Sequence, residues 1–399
     1  MLTRCLHDSI AVATAALWGL VGCSSPSPER RQITHQQWFK SCADIGLLSG
    51  SITGLCADDD YVYVAGSYTS SRGGIAALSA QSGEIVWQRL GIGLPNLSTP
   101  TRIIDRILFT DFANDLHCLS RTNGDLRWHK SLYRRTSGAV NQFSPLTDGH
   151  QCYIMREDRW VKDKFAIYAI KAEDGTLTWK QERNRPLKVA LDAAAEMLLL
   201  LSLGGDITLL STHRGKVIAS GRISLSGYPI WLDVIGERVL VLTNRSLSSY
   251  SIRNWKQLWE VPDILSGHSS SNTAESQRLY PRCGFPARVV NKTLWIFSQG
   301  RRCLESYDIR TGKRLSSNPV PQNLLMPCLW EMSETHWVGA FGADDEKVSA
   351  LAVFDLASRR WAVYDASVVV RGGYRLLSMN GIGVFLAGME GIYGFGVGN

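Results

Sequence analysis

Ile75-Ala76-Ala77-Leu78-Ser79-Ala80-Gln81-Ser82-Gly83-Glu84-Ile85-Val86-Trp87 is the stretch that decides the fold. It reads as an apolar strand, a turn closed by a glycine, and a second strand with tryptophan four residues after that glycine. The pattern recurs along the chain. Residues 116–128 repeat it with Asn123-Gly124 at the turn and Trp128 after it, and residues 167–179 with Asp174-Gly175 and Trp179. Residues 207–219 keep Gly215 but end in Ala219, and residues 247–259 keep Trp259 but carry Trp255 where the glycine stood. Residues 304–316 keep Thr311-Gly312 and end in Ser316, and residues 349–361 read as a degenerate copy with a shifted Trp361. The copies lie roughly 40 residues apart, stretching to nearly 60 where loops intrude.

Each copy has one physical reading. Apolar or β-branched runs precede it at 61–65, 106–110, 197–201, 238–243 and 293–298, and these read as short buried strands. Asn-Gly and Asp-Gly suit hairpins, because glycine accepts a positive φ without a Cβ clash. The tryptophan falls on the outer strand, where its large apolar face can cover a neighbouring unit. No single four-stranded unit buries both of its faces, but a ring of them does. No run of helical periodicity appears beyond the N-terminal segment.

These copies resemble the tryptophan-docking repeat of PQQ-type β-propellers, found in quinoprotein dehydrogenases and in BamB, the lipoprotein subunit of the β-barrel assembly machinery. The resemblance spans about residues 38–397. Repeats of that family carry aspartate before the turn. Asp308 and Asp355 keep it here, while Ser79 and Ser120 stand in elsewhere. The expected fold is therefore all-β. Seven copies are complete, and residues 384–395 match the middle two strands of another. Trp38 precedes the first copy without an upstream partner. The economical solution is an eight-bladed propeller of four-stranded antiparallel blades, closed by an N-terminal strand around Trp38 in the last blade. Closure of this kind leaves no open sheet edge.

The first residues read as targeting rather than fold. Arg4 supplies a positive end, and residues 10–21 form an apolar run too short to cross a bilayer as a stop-transfer helix. The run ends in Leu20-Val21-Gly22-Cys23, which resembles a bacterial lipobox. The resemblance implies that Cys23 becomes an acylated N-terminus. Ser24-Ser25-Pro26-Ser27-Pro28 follows as a flexible polar tether. The expected organisation is a lipoprotein signal peptide at 1–22, a tether at 23–35 and the propeller at 36–399. Ser24 after the cysteine resembles sorting to the outer membrane, with the domain facing the periplasm.

The formal net charge of +7 is mild and spread out, and no basic stripe interleaves with aromatics, so a nucleic-acid partner is not expected. Weak attraction to anionic lipid is compatible with it. Seven cysteines remain after Cys5 and Cys23: Cys42, Cys56, Cys118, Cys152, Cys283, Cys303 and Cys328. An odd number leaves at least one free thiol, and no CxxC occurs. Most read as small buried strand residues.

No residues are assigned a catalytic, cofactor or metal role. By resemblance, a quinone site would need a calcium held by Glu, Asn and Asp, often beside adjacent cysteines, and no two cysteines are adjacent. Neither GxSxG nor HExxH is present. His117, His129, His268 and His336 lack metal-ligand spacing and read as strand or surface residues. Asp58-Asp59-Asp60 and Asp344-Asp345-Glu346 read as tight turns, and Gly73-Gly74 and Gly204-Gly205 as hairpin tips. Three insertions stand out as contact surfaces: the charged hairpin at 156–164 with Trp160, the Ser-rich loop at 262–283, and the Pro-rich segment at 318–330. The expectation is a non-catalytic envelope lipoprotein. It would bind a protein partner and, by resemblance, assist outer-membrane protein assembly. The alternative is a ligand-binding or sensor propeller in the periplasm. A quinone-dependent dehydrogenase is the reading with least support.

Overall fold

The apolar runs become the middle strands of blades. In the first blade Ile52–Ala57, Tyr61–Ser67, Gly73–Ser79 and Ile85–Ile92 pair antiparallel in chain order, from the axis outward. The computed structural model describes residues 36–93, 100–111, 115–132, 144–158, 164–184, 186, 188–264, 287–298, 301–322, 324, 327–342, 348–368, 374–380 and 383–396. All regular structure among them is strand, arranged as eight four-stranded sheets. After the first, the blades span 101–131, 146–184, 188–222, 229–262, 287–319 and 327–368. The eighth combines three strands within 374–396 with Gln36–Ser41.

The middle strands lack polar alternation because both of their faces are buried. Val62 and Val64 point into a core shared with Phe385 and Ile392 of the eighth blade. Their neighbours Tyr63 and Ala65 point the other way, into a core with Ile107 and Phe109 of the second. Each large aliphatic side chain so buried contributes roughly 1.5–3 kcal/mol. Outer strands such as Val217–Arg222 and Arg314–Pro319 instead alternate between exposed and half-buried.

Ring closure follows the expected register. Gln36–Ser41 runs antiparallel to Gly391–Gly396, with Trp38 opposite Gly394 and Ser41 opposite Gly391. The Cys42 N–H donates to the Glu390 carbonyl at 2.8 Å.

The repeated tryptophan then links blade to blade. Trp38, Trp87, Trp128, Trp179 and Trp259 each donate an indole N–H to a carbonyl in the next blade's turn, at 3.1, 2.8, 3.0, 2.6 and 3.1 Å. That carbonyl always lies three residues before the turn glycine, and the indole lies flat against that glycine. A Cβ at Gly83 would come within 2.4 Å of Trp38, and one at Gly215 within 2.5 Å of Trp179. Glycine is thus required twice over, by its positive φ of 63–73° at all five such turns and by the close approach of the ring.

Two departures from the repeat have physical explanations. The fourth blade has Ala219 where the tryptophan should be. Trp255, at the fifth blade's turn, docks backward to fill the place: its indole donates to the Ser220 carbonyl at 3.0 Å and covers Gly221. It holds a φ of +59°, the conformation its glycine counterparts adopt freely. The seventh copy is displaced by two residues from the register that Trp361 suggested. The Arg359 N–H bonds back to Asp355, as Gly83 does to Ser79, so Arg359 occupies the turn position, with φ +57°. Val363 then occupies the docking position. The eighth blade has no turn there to receive a tryptophan, since its two outer strands come from opposite ends of the chain. Trp361 turns into an aromatic core instead, 4.8 Å from Phe354 and 5.5 Å from Trp337.

Candidate interaction surface

In an antiparallel four-stranded blade the connections alternate between the two faces of the disc. The hairpins joining first to second strand and third to fourth strand share one face with the docking tryptophans. The remaining hairpins and the links between blades share the other. Gln36 begins its strand at the docking face, beside Phe395, so the N-terminal segment leaves the ring there. All three insertions join strand ends on the opposite face. These are Gln151–Asp158 to Lys164–Lys171, Gln257–Pro262 to Ala287–Val290, and Arg314–Pro319 to Pro327–Met332. Residues 159–163, 265–286, 323 and 325–326 within them lie outside the described residues. So do Cys23, the signal peptide, the tether, His268, Cys283 and the Asp344-Asp345-Glu346 turn.

The docking face is divided by charge. Its turns between third and fourth strands expose Glu84 and Asp125 in the first two blades, and Glu173 and Asp174 beside Lys171 in the third. From the fourth blade the sign reverses. Arg214 and Lys216 are exposed there, and Arg253 and Lys256 in the fifth. Arg310 and Lys313 continue the arc in the sixth, and Arg359 and Arg360 in the seventh. Arg253 pairs with Glu237. Just after the turns of both the acidic and the basic blades, Ile85, Val86, Leu126, Leu177, Val217, Ile218, Leu258 and Leu315 are 37–54% exposed on the rim.

The buried polar residues act as ties within the ring. Asp58 belongs to the tight turn its sequence suggested, accepting the N–H groups of Asp60 and Tyr61. It also accepts two hydrogen bonds from Arg121 of the second blade, at 2.8 and 2.9 Å, and one from the Tyr63 hydroxyl. Burial alone would raise this carboxyl, but the hydrogen bonds from Arg121, Tyr61 and Tyr63 hold it at about 2. Asn380 of the eighth blade donates to the Asp58 carbonyl at 2.6 Å, so one loop joins three blades. Asp148 repeats the motif with Tyr153 in the third blade, where the same kind of bonding outweighs burial and lowers its pKa. Glu305, fully buried, is bonded by Arg301, Arg314 and the Tyr307 hydroxyl.

The histidines are held similarly. His117 is buried, bonded to Asp111 at 2.9 Å and stacked on Phe109. His129 lies across the strand pair from it and bonds Asp115. His336 begins a strand and faces Asp355. Among the described residues no group of three or more His, Cys, Asp and Glu is placed to hold a metal ion. Cys42, Cys56, Cys118, Cys152 and Cys303 are all free. Burial pushes the Cys118 thiol up to about 12, and burial followed by the charges of Glu331 and Asp58 does the same for Cys56, which leaves both far from thiolate chemistry.

Sequence reasoning missed two features. Gly73-Gly74 starts a strand, packed under Leu90 and Leu47, rather than forming a hairpin tip; Gly205, with φ +83°, is at a tip as expected. On the innermost strands lie Lys188, Asp233 and Arg288. Burial raises Asp233 to about 6 against the opposing Val234 N–H bond, with Asp192 adding to the rise and Arg288 resisting it.

The family model described as outer membrane protein assembly factor BamB matches residues 71–329, more than half of the sequence. The chain belongs to that family. No curated protein matches it significantly by sequence. Among solved structures it resembles BamB from Moraxella catarrhalis, at 15% identity and a TM-score of 0.52 over 86% of this chain and 92% of that one. It also resembles the computationally designed Ika8 protein, at 12% identity and a TM-score of 0.60 over 88% and 98%. A europium-containing methanol dehydrogenase aligns at 10% identity and 0.56 over 91% and 88%. At such identities the structural likenesses establish the fold alone, and the last belongs to an enzyme.

Proposed function

We propose that this member of the family is a non-catalytic scaffold, lipid-anchored through Cys23, that binds a protein partner in the cell envelope and assists the assembly of outer-membrane proteins. The observation that carries this reading is the polarity of the disc. The chain leaves for its N-terminus from one face, and the three insertions longer than the repeat requires all join strands on the other. A tethered ring so built presents its inserted loops away from the anchoring membrane, where a partner reaches them. The buried carboxylates Asp58 and Glu305 and the half-buried Asp148 are occupied by ties within and between blades, consistent with a structural use of charge. Outer strands with alternating exposure also offer backbone for strand addition by a partner.

Two experiments test the reading. Purification from native membranes after mild cross-linking is expected to recover a stoichiometric complex with outer-membrane assembly components. Recovery of the isolated chain, or turnover of an alcohol or sugar after addition of quinone and calcium, would count against it. The anchor is tested separately. Cys23→Ser is expected to abolish incorporation of labelled palmitate, and unchanged labelling refutes the anchor.

A further inference from the structure

We propose that the docking face rests on an anionic lipid surface through the basic arc of the fourth to seventh blades, with the exposed rim residues dipping into the headgroup layer. Four consecutive turns between third and fourth strands present eight exposed cations on one side of the face, where they outnumber the exposed Glu196, Glu237 and Glu334 of the adjoining hairpins, while the acidic turns of the first three blades occupy the other. Lys216, Lys256 and Lys313 pair with no carboxylate among the described residues, so their charge is available to a partner. Val217, Ile218, Leu258 and Leu315 follow directly on those turns. Cations beside shallow apolar side chains are the combination that an anionic headgroup layer over hydrocarbon rewards.

The path of the chain selects the occupant. Residues 24–35 lie between Cys23 and the first strand, a reach of at most about 40 Å when extended. That strand starts on this face, so a membrane-held N-terminus brings this face, and not the insertion face, to the lipid. The direction of the tether rests on the anchored reading proposed above. The charge and the rim do not.

The test uses a chain that begins at Ser24, which retains every described residue and lacks both Cys23 and the apolar segment. It is expected to co-sediment with vesicles of phosphatidylethanolamine and phosphatidylglycerol, to bind phosphatidylcholine vesicles much more weakly, and to be released as salt is raised. Each surface cation is worth about fivefold in such binding, so combining Lys216→Glu, Lys256→Glu and Lys313→Glu is expected to weaken it by at least about a hundredfold. Unchanged circular dichroism and melting would confirm that the triple variant folds. Arg72→Glu with Arg222→Glu, on the opposite face, is expected to leave binding unchanged. Equal binding to neutral vesicles, or equal loss in the two variants, overturns the proposal. So does a triple variant that binds vesicles normally but loses a protein partner from native membranes. Failure of palmitate labelling at Cys23 would remove the anchor while leaving the vesicle result to stand or fall alone.

Discussion

Asp233 illustrates how a single half-buried group records its surroundings. Its folded pKa, raised to about 6, exceeds that of an unfolded aspartate. The stabilisation that comes from carrying the proton is therefore full below about pH 4 and is lost as pH rises through 6, leaving a poorly solvated charge at neutral pH. Asp233→Asn keeps an oxygen for the Val234 N–H and removes that charge. The variant is expected to melt higher than the parent at pH 8, by on the order of 2–3 kcal/mol in stability, and to match it near pH 4. Equal melting differences at both pH values would contradict the assignment. No sequence motif announces Asp233, because its burial depends on the strands of neighbouring blades. The same holds for Asp58. Its turn was legible in Asp58-Asp59-Asp60, but its partner Arg121 stands 63 positions away and is brought near only by the ring.

Six of the eight junctions join blade to blade through one tryptophan and one turn, and the fourth-to-fifth junction tests whether that unit is interchangeable. Trp255→Gly restores the repeat's own residue and relieves a positive φ, yet uncovers Gly221 and the Ser220 carbonyl. It is expected to destabilise by about 2 kcal/mol or more, as removal of a packed ring does even where part of it is exposed. Ala219→Trp alone sets two indoles in competition for one place. The double substitution rebuilds the ordinary dock and is expected to recover most of the loss, a coupling that chemical denaturation of the four proteins would measure. Additive effects would mean that Trp255 does not replace the missing residue. The spacing of the repeat placed the docking tryptophans Trp87, Trp128, Trp179 and Trp259, because each belongs to a copy, and the closure argument placed Trp38. It recorded Trp255 only as a lost glycine, since a dock running backward has no place in a forward pattern. It misplaced the seventh copy by following Trp361, a core aromatic, in place of the turn at Arg359.

The ring as a whole depends on its first strand. Trp38 is buried between Phe385 of its own blade and the turn at Gly83 of the next. Trp38→Ala is expected to cost about 3–5 kcal/mol. Deleting residues 1–34 is expected to leave the melting temperature almost unchanged. Deleting through residue 44 removes the closing strand and is expected to lower it by ten degrees or more and to promote aggregation through the open edge. A truncated ring that melts like the parent would rule out closure as a source of stability. Eight blades and their closure were legible because they follow from counting copies and noticing unpaired ends. The division of charge across the docking face was not. Acidic and basic turns follow one another along the chain with no dense run, and only their common position in successive blades gathers them into an arc.

That closing strand also imposes a timetable. Gln36–Ser41 is synthesised about 350 residues ahead of Gly391–Gly396, the strand it must join. At roughly 5–20 residues per second, the interval is on the order of tens of seconds. For all of it, the earliest strand waits with its backbone unclaimed and Trp38 uncovered. Attachment at Cys23, if made on emergence, would confine that waiting segment to the membrane surface, where encounters with other nascent chains differ from those in free solution. The part of the protein that is made first is the part that finishes it.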